Sequence, residues 1–189
     1  MKKYELTAEF IEQWGKKLFR IKALISFGSV EAGELGGYVE KEDNLAQDGD
    51  AWVCDNARVC DNARVCDDAR VYGDAWVYGD AWVYGNARVC DDAWVYGDAW
   101  VCDNADYLLI GRIGSRFSFT TFFKNKDKGI TVSCGCFLGT IAEFRAKVTD
   151  THGNNKHAKI YNLAADMAEL QILGEEHFDK LNTNKSEPF

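Results

Sequence analysis

The sequence predicts a mainly β chain. A solenoid of very short strands fills the middle of its 189 residues, and a small C-terminal α+β module follows. Three observations predict this. A six-residue unit recurs without interruption from Gly49 to Ala105. Within each unit, small apolar residues alternate with large or polar ones. The repeat stops at Asp106, and helix-capping signals appear only after it.

The unit reads [GD]-[DN]-Ala-[Trp/Arg]-Val-[Cys/Tyr], as in GDAWVC, DNARVC and GDAWVY. A period of six cannot be one α-helix, because 3.6 residues per turn would smear the valines around the cylinder. It fits a strand of four residues and a two-residue corner. Side chains alternate along a strand, so Ala and Val share one face, and Trp/Arg and Tyr/Cys the other. The small pair faces inward, since alanine and valine fill a narrow core and stacked tryptophans would not. Gly-Asp, Asp-Asn and Gly-Asn tolerate the tight or left-handed backbone of a corner.

These ten consecutive units resemble the hexapeptide-repeat left-handed β-helix family over residues 35–105. The resemblance implies a triangular coil of three units, so that residues eighteen apart stack about 4.8 Å up the axis. Trp52 then stacks on Arg70 and Arg88, Arg58 on Trp76 and Trp94, and Arg64 on Trp82 and Trp100. The neighbouring columns are Cys54-Tyr72-Cys90, Cys60-Tyr78-Tyr96 and Cys66-Tyr84-Cys102. No two cysteines are axial neighbours, and two coils span about 9.6 Å, beyond disulfide reach. Free thiols are expected. The lead-in GELGGYVEKEDNLAQDGDAWV is similar to that of short bacterial and phage proteins, which implies a phage or mobile-element origin.

The flanks are read in order. Residues 1–34 form a capping segment, with Glu9–Trp14 and Lys17–Ala23 as a hairpin or the first half as a helix. Leu35–Val39 and Asn44-Leu45 keep the phase of a degenerate first coil. Residues 106–173 are the C-terminal module. Its strands are Tyr107–Ile113, Phe117–Lys124 and Gly129–Cys134. A capping box at Thr140 and Glu143 opens a helix to Thr151, and a second helix runs from Lys156 to Leu173, stopped by Gly174. Residues 174–189 are a flexible tail. No run of 18 apolar residues exists, so no spanning helix is expected, and the basic start lacks the apolar stretch of a secretory signal. With seven cysteines and no export signal, the expected compartment is a reducing cytoplasm, the host's if the chain is phage-encoded.

Net charge is −8, against a general nucleic-acid binder. The solenoid holds that charge, with 4 basic and 12 acidic residues over 48–105. Corner aspartates stack in pairs: Asp50 over Asp68, Asp74 over Asp92, and Asp80 over Asp98. One reading is that aspartate simply suits corners; another is an acidic ridge that occupies a nucleic-acid-binding groove. A calcium ladder lacks its usual glycine-rich unit. Trp76, Tyr78, Trp82, Tyr84, Trp94, Tyr96 and Trp100 point outward and would be covered by the chain's own termini, a second copy, or a target. Arg112, Arg116, Lys124, Lys126 and Lys128 make a local basic hairpin, read first as a solvated surface and otherwise as a phosphate contact or a patch that meets an acidic solenoid of another copy.

Many members of the resembled family are acyltransferases that use a coil histidine as general base. This solenoid contains no histidine, so His152 and His157 of the C-terminal module are the candidate bases if the chain is an enzyme. Cys134 and Cys136 with His152 and His157 could form a zinc site, but the spacing matches no common finger; no metal or cofactor is expected. The sequence points to a non-enzymatic acidic interaction protein. Its expected partner is a basic nucleic-acid-binding protein, inhibited by a DNA-mimic or anti-CRISPR-like mechanism, with no direct nucleic acid or membrane contact. The alternatives are an acyltransferase and a structural protein that forms homo-oligomers, a dimer first.

Overall fold

A computed structural model describes residues 1–176. It divides into two compact units, Met1–Asn104 and a second beginning at Ala105. Part of the tail expected at 174–189 lies outside the described residues.

The first unit is a β-solenoid of about four turns. Its chain starts with β1 (Tyr4–Gln13), β2 (Lys16–Ala23) and β3 (Leu35–Val39). Nine two-residue strands follow, β4 to β12: Trp52–Val53, Arg58–Val59, Arg64–Val65, Arg70–Val71, Trp76–Val77, Trp82–Val83, Arg88–Val89, Trp94–Val95 and Trp100–Val101. They stack in parallel on three faces. Face one is β3-β5-β8-β11, extended antiparallel by the β1-β2 hairpin. Face two is β4-β7-β10, and face three is β6-β9-β12. Trp52 opposes Arg70, Arg58 opposes Trp76, and Arg64 opposes Trp82. The eighteen-residue register of the sequence is therefore the register of the fold. The repeat alanines and valines from Ala51 to Val101 are all fully buried.

The strands are shorter than the four residues expected, because the corner turn takes the flanking Ala and Cys/Tyr. Ala57 N–H donates to the Cys54 carbonyl at 3.1 Å and closes a four-residue turn. Its first central residue has positive φ at every corner: Gly49, Asp55, Asp61, Asp67, Gly73, Gly79, Gly85, Asp91 and Gly97. This is the backbone of a type II′ turn, which favours glycine there. Aspartate fills four of these sites, and three of the four gain a compensating bond. Asp55, Asp67 and Asp61 accept from the amides of Gly73 (3.1 Å), Gly85 (3.0 Å) and Gly79 (3.3 Å), one coil further on.

The degenerate first coil exists, with a larger offset. Val39 opposes Val59 and Leu45 bridges to Val65, twenty residues apart rather than eighteen. Two extra residues enter between Leu45 and Val53 and form the rim of the coil.

That rim is sealed from above. Coil-to-coil bonds run from the N–H of one coil to the C=O of the next, as in Cys54 to Val71 and Tyr72 to Val89. The first coil is therefore left with upward-facing carbonyls that need donors. Lys3 Nζ donates to Asp48, Gly49 and Ala51 carbonyls at 3.0, 3.3 and 3.0 Å. Tyr4 Oη donates to the Glu42 and Leu45 carbonyls, while Asn44, itself in the first coil, donates through Nδ2 to the Asp61 and Ala63 carbonyls of the next. The segment 1–34 is thus a hairpin and a cap at once. Gly36 lets β2 close over the coil, since a Cβ there would stand 2.5 Å from Ile21 and from the Val53 carbonyl.

The second unit is an antiparallel meander with two helices. Its strands are β13 (Tyr107–Ile113), β14 (Ser118–Lys124), β15 (Ile130–Cys134) and β16 (Phe137–Thr140). Helices α1 (Ile141–His152) and α2 (Lys156–Leu173) pack on it through Phe122, Val132, Phe144, Val148 and Tyr161. The Thr140–Glu143 capping box opens α1, and Asn155 caps α2. Strand β16 is not anticipated from the sequence: it has four residues, one of them Gly139, and leaves no alternating signature. Between the helices, Arg145 binds Asp166 and the buried Glu169, each at 2.7 Å.

Lys3→Met keeps the bulk of the cap and removes its donors, which leaves buried carbonyls unsatisfied. The expected outcome is a loss of roughly 3 kcal/mol from unit one, read as a lower urea midpoint with an unchanged slope. An unchanged midpoint would mean that the cap does not hold the rim.

Candidate partner-binding face

Each face of the solenoid carries the fourth residue of its units as a column, and the three columns have different fates. On face two, Trp52 is fully buried under Tyr4 and Phe27, which meet its ring edge-on at 6.4 and 5.4 Å. On face one, Arg58 lies 4.9 Å over Trp76, and Trp76 and Trp94 follow at 6.1 Å. The hairpin tip covers the Trp76 end of this column and leaves Trp94 38% exposed. Trp14 sits 4.4 Å from Trp76, 5.9 Å from Tyr78 and 6.0 Å from Trp94, so Trp76 is only 6% exposed. Beside it, Lys16 pairs with the corner carboxylate of Asp61 and with Glu40. Tyr78 and Tyr96 stack at 4.6 Å along the same face.

Face three repeats much of this arrangement, and Trp14 and Lys16 do not reach it. Arg64 lies 5.7 Å over Trp82, and Trp82 and Trp100 follow at 6.2 Å with Tyr84 edge-on to Trp100. Most of the docked face has a counterpart six residues later: Trp76 in Trp82, Tyr78 in Tyr84, Trp94 in Trp100, Cys60 in Cys66 and Asp61 in Asp67, whereas Tyr96 gives way to Cys102 and Glu40 to Ala46. Trp82 and Trp100 are 40% and 44% exposed.

The six aspartates named from the sequence lie on three separate edges, two to an edge, so no single surface gathers them. Asp68, Asp74, Asp80 and Asp92 are exposed, while Asp50 and Asp98 are half-buried. Asn62 donates to Asp80 at 3.1 Å, which shows how an asparagine in the column relieves stacked carboxylates. The edges beside face three carry Asp80 and Asp98 on one side and Asp67 and Asp68 on the other. Arg64 is the only cation of that face's repeat units.

Trp14 and Lys16, which complete the docked face, escaped the sequence reading because nothing in a hairpin tip announces where it lands. Another feature was legible but unread. At every corner from Cys54 to Cys102, Cys is followed by Asp and Tyr by Gly. The structure gives part of the reason: Cys90 donates to Asp91 at 3.2 Å, and Cys60 reaches Asp61 at 3.9 Å.

The candidate bases lie in the second unit. His152 and His157 sit 5.8 Å apart where the helices meet, and His157 Nδ1 is buried without a hydrogen-bond partner. Among the described residues, no three His, Cys, Asp or Glu side chains gather as metal ligands, so the Cys134/Cys136/His152/His157 set is not assembled. The basic hairpin is also dispersed, since Lys124 pairs with Asp106 at 2.7 Å. No described helix is long and apolar enough to cross a membrane.

Residues 63–79, 69–85, 81–97 and 87–103 match the family model of the YdcK beta-solenoid repeat. It is a hexapeptide-type repeat solenoid. The matched segments hold all of β9 to β12 and the Trp82–Trp100 column. No curated protein matches the chain.

The solenoid thiols resist ionisation. Burial, then the neighbouring carboxylates of Asp55 and Asp61, pushes Cys54 up to about 11 and Cys60 up to about 12. In the unfolded chain both ionise near 9. The folded state then holds protons that the unfolded state releases, and this contribution to stability is lost as pH rises from about 9 toward 12. Lys3 acts with the opposite sign. Burial lowers it to about 8, so its contribution improves as pH rises from about 8 to 10.5. Thiolate absorbance at about pH 10 should show Cys54 and Cys60 protonated in the native protein and ionised on addition of urea. Thiolate signal from both in the native state would contradict this packing.

Proposed function

We propose that the chain is a non-enzymatic interaction protein. Its face three binds a basic protein partner, which presents a turn carrying an aromatic residue next to a lysine or arginine. The observation that carries this reading is the docked hairpin tip on face one. There, Trp14 and Lys16 cover the Trp76 ring and the Asp61 carboxylate, whose counterparts on face three, Trp82 and Asp67, lie exposed. Indole columns bind aromatic rings and guanidinium groups by the same quadrupole and dispersion terms. Flanking carboxylates select a cation and speed its approach.

In its finer form, the partner is a bacterial defence or nucleic-acid-handling protein. The carboxylates flanking face three would take the place of phosphates in its groove, and the chain would act as a phage-encoded inhibitor in the host cytoplasm. The phage-like lead-in and the acidic balance of the solenoid support this form. A second copy of the chain, offering its own Trp14-Gly15-Lys16 tip, is the competing occupant.

Affinity capture from bacterial lysate at rising salt tests the reading. A basic protein should be retained at low salt and released as salt rises. Trp82→Ala with Trp100→Ala should weaken its binding by at least tenfold, with the urea midpoint of unit one changed little. Changing Asp68, Asp80 and Asp98, on the edges of face three, to Asn should flatten the salt dependence. Retention untouched by both variants would end the proposal, and capture of the chain's own copies alone would favour assembly instead.

A further inference from the structure

The second unit holds a cavity of about 170 Å³ that the partner-binding reading does not use. It opens between the β13-β14 turn, the β15-β16 turn and the end of α1. Its floor is apolar, formed by Phe137, Phe144 and Val148. Around the floor converge Arg116, Lys147, His152, the phenol of Tyr161 and the thiols of Cys134 and Cys136, and among the described residues no carboxylate lines it. A mostly apolar recess with a few convergent polar groups is the usual form of a small-molecule site.

Three details show how the polar groups are placed. Arg116 makes no ion pair among the described residues, although the chain carries an excess of acids. Its guanidinium lies against Gly135, whose positive φ and missing Cβ leave room for it. Tyr161 is held with its phenol against Gly114, another positive-φ glycine, and stacks on His152 at 5.8 Å. Lys147 shares its charge with Asp150 at 3.3 Å, which leaves Arg116 as the unneutralised cation of the rim.

From this we infer that the cavity binds a small carboxylate with an apolar body, of about the size of a substituted benzene ring. A cavity of about 150 Å³ accepts benzene, so this one has space for a ring and a carboxyl group. The planar fork of Arg116 would take the carboxylate in bidentate fashion. The apolar floor would take the ring.

The cysteines report on the site. Two lie in it, and five lie in the solenoid, four of them followed by an aspartate with positive φ. The full chain is alkylated at low salt with iodoacetate or with neutral iodoacetamide, and each cysteine is read by peptide mass spectrometry. The rate ratio of anionic to neutral reagent should be at least fivefold higher at Cys134 or Cys136 than at Cys54 and Cys66. Benzoate should abolish that excess and benzamide should not. Arg116→Gln should also abolish it, and should it fail to fold, the benzoate competition on the unaltered chain decides. The inference is overturned by equal ratios at both sets of cysteines, by an excess that benzoate leaves in place, or by equal protection from benzamide.

Discussion

The amide–carbonyl ladder of the solenoid has a direction, and the rest of the first unit follows from it. Each coil donates toward the next through bonds of about 2.8 to 3.1 Å, such as Trp82 to Ala99 and Tyr78 to Val95. Such a stack ends in bare carbonyls on one side and bare amides on the other. The carbonyl end is met by donors, the ammonium of Lys3 and the phenol of Tyr4. At the other end a side-chain acceptor appears, with Asn104 taking the Arg88 amide at 2.9 Å. Charge type at each end is set by backbone polarity, not by a surface requirement. The buried lysine of an acidic solenoid is the consequence.

The same direction explains the corners. Their first residue must take positive φ, which only glycine adopts freely. An aspartate there offsets its strain by accepting the amide of the next corner. The acidic residues thus split into two groups. Asp55, Asp61 and Asp67 are bound into the coil, whereas Asp68, Asp74, Asp80 and Asp92 face solvent and add charge without serving the turn. A surface built from the second group can change without unwinding the fold, which suits recognition.

Much of this was legible in the residues. The valine row, the Arg-over-Trp columns, both helices and the Thr140–Glu143 box follow from spacing alone, because each rests on neighbours at fixed offsets. The hairpin was legible as a hairpin, from Trp14-Gly15 between two apolar runs. Its destination was not, since the contact of Trp14 with Trp76 joins residues with no periodic relation. For the same reason, sequence could count the outward aromatics without telling which column is covered. The twenty-residue first coil was hidden as well, because its two extra residues carry no repeat letters. The cavity of the second unit is invisible to periodicity: turns distant in sequence bring Arg116, Cys134 and His152 together.

Everything said of the columns depends on the register of eighteen, and one thiol tests it most directly. Tyr78→Cys places a new sulfur beneath Cys60 on the same column, at the spacing of adjacent parallel strands, within reach of a disulfide. After mild oxidation, peptide mapping should find the new thiol joined to Cys60. A bond to Cys66 or Cys90 instead, twelve residues away on either side, would mean a different coil and would contradict the account.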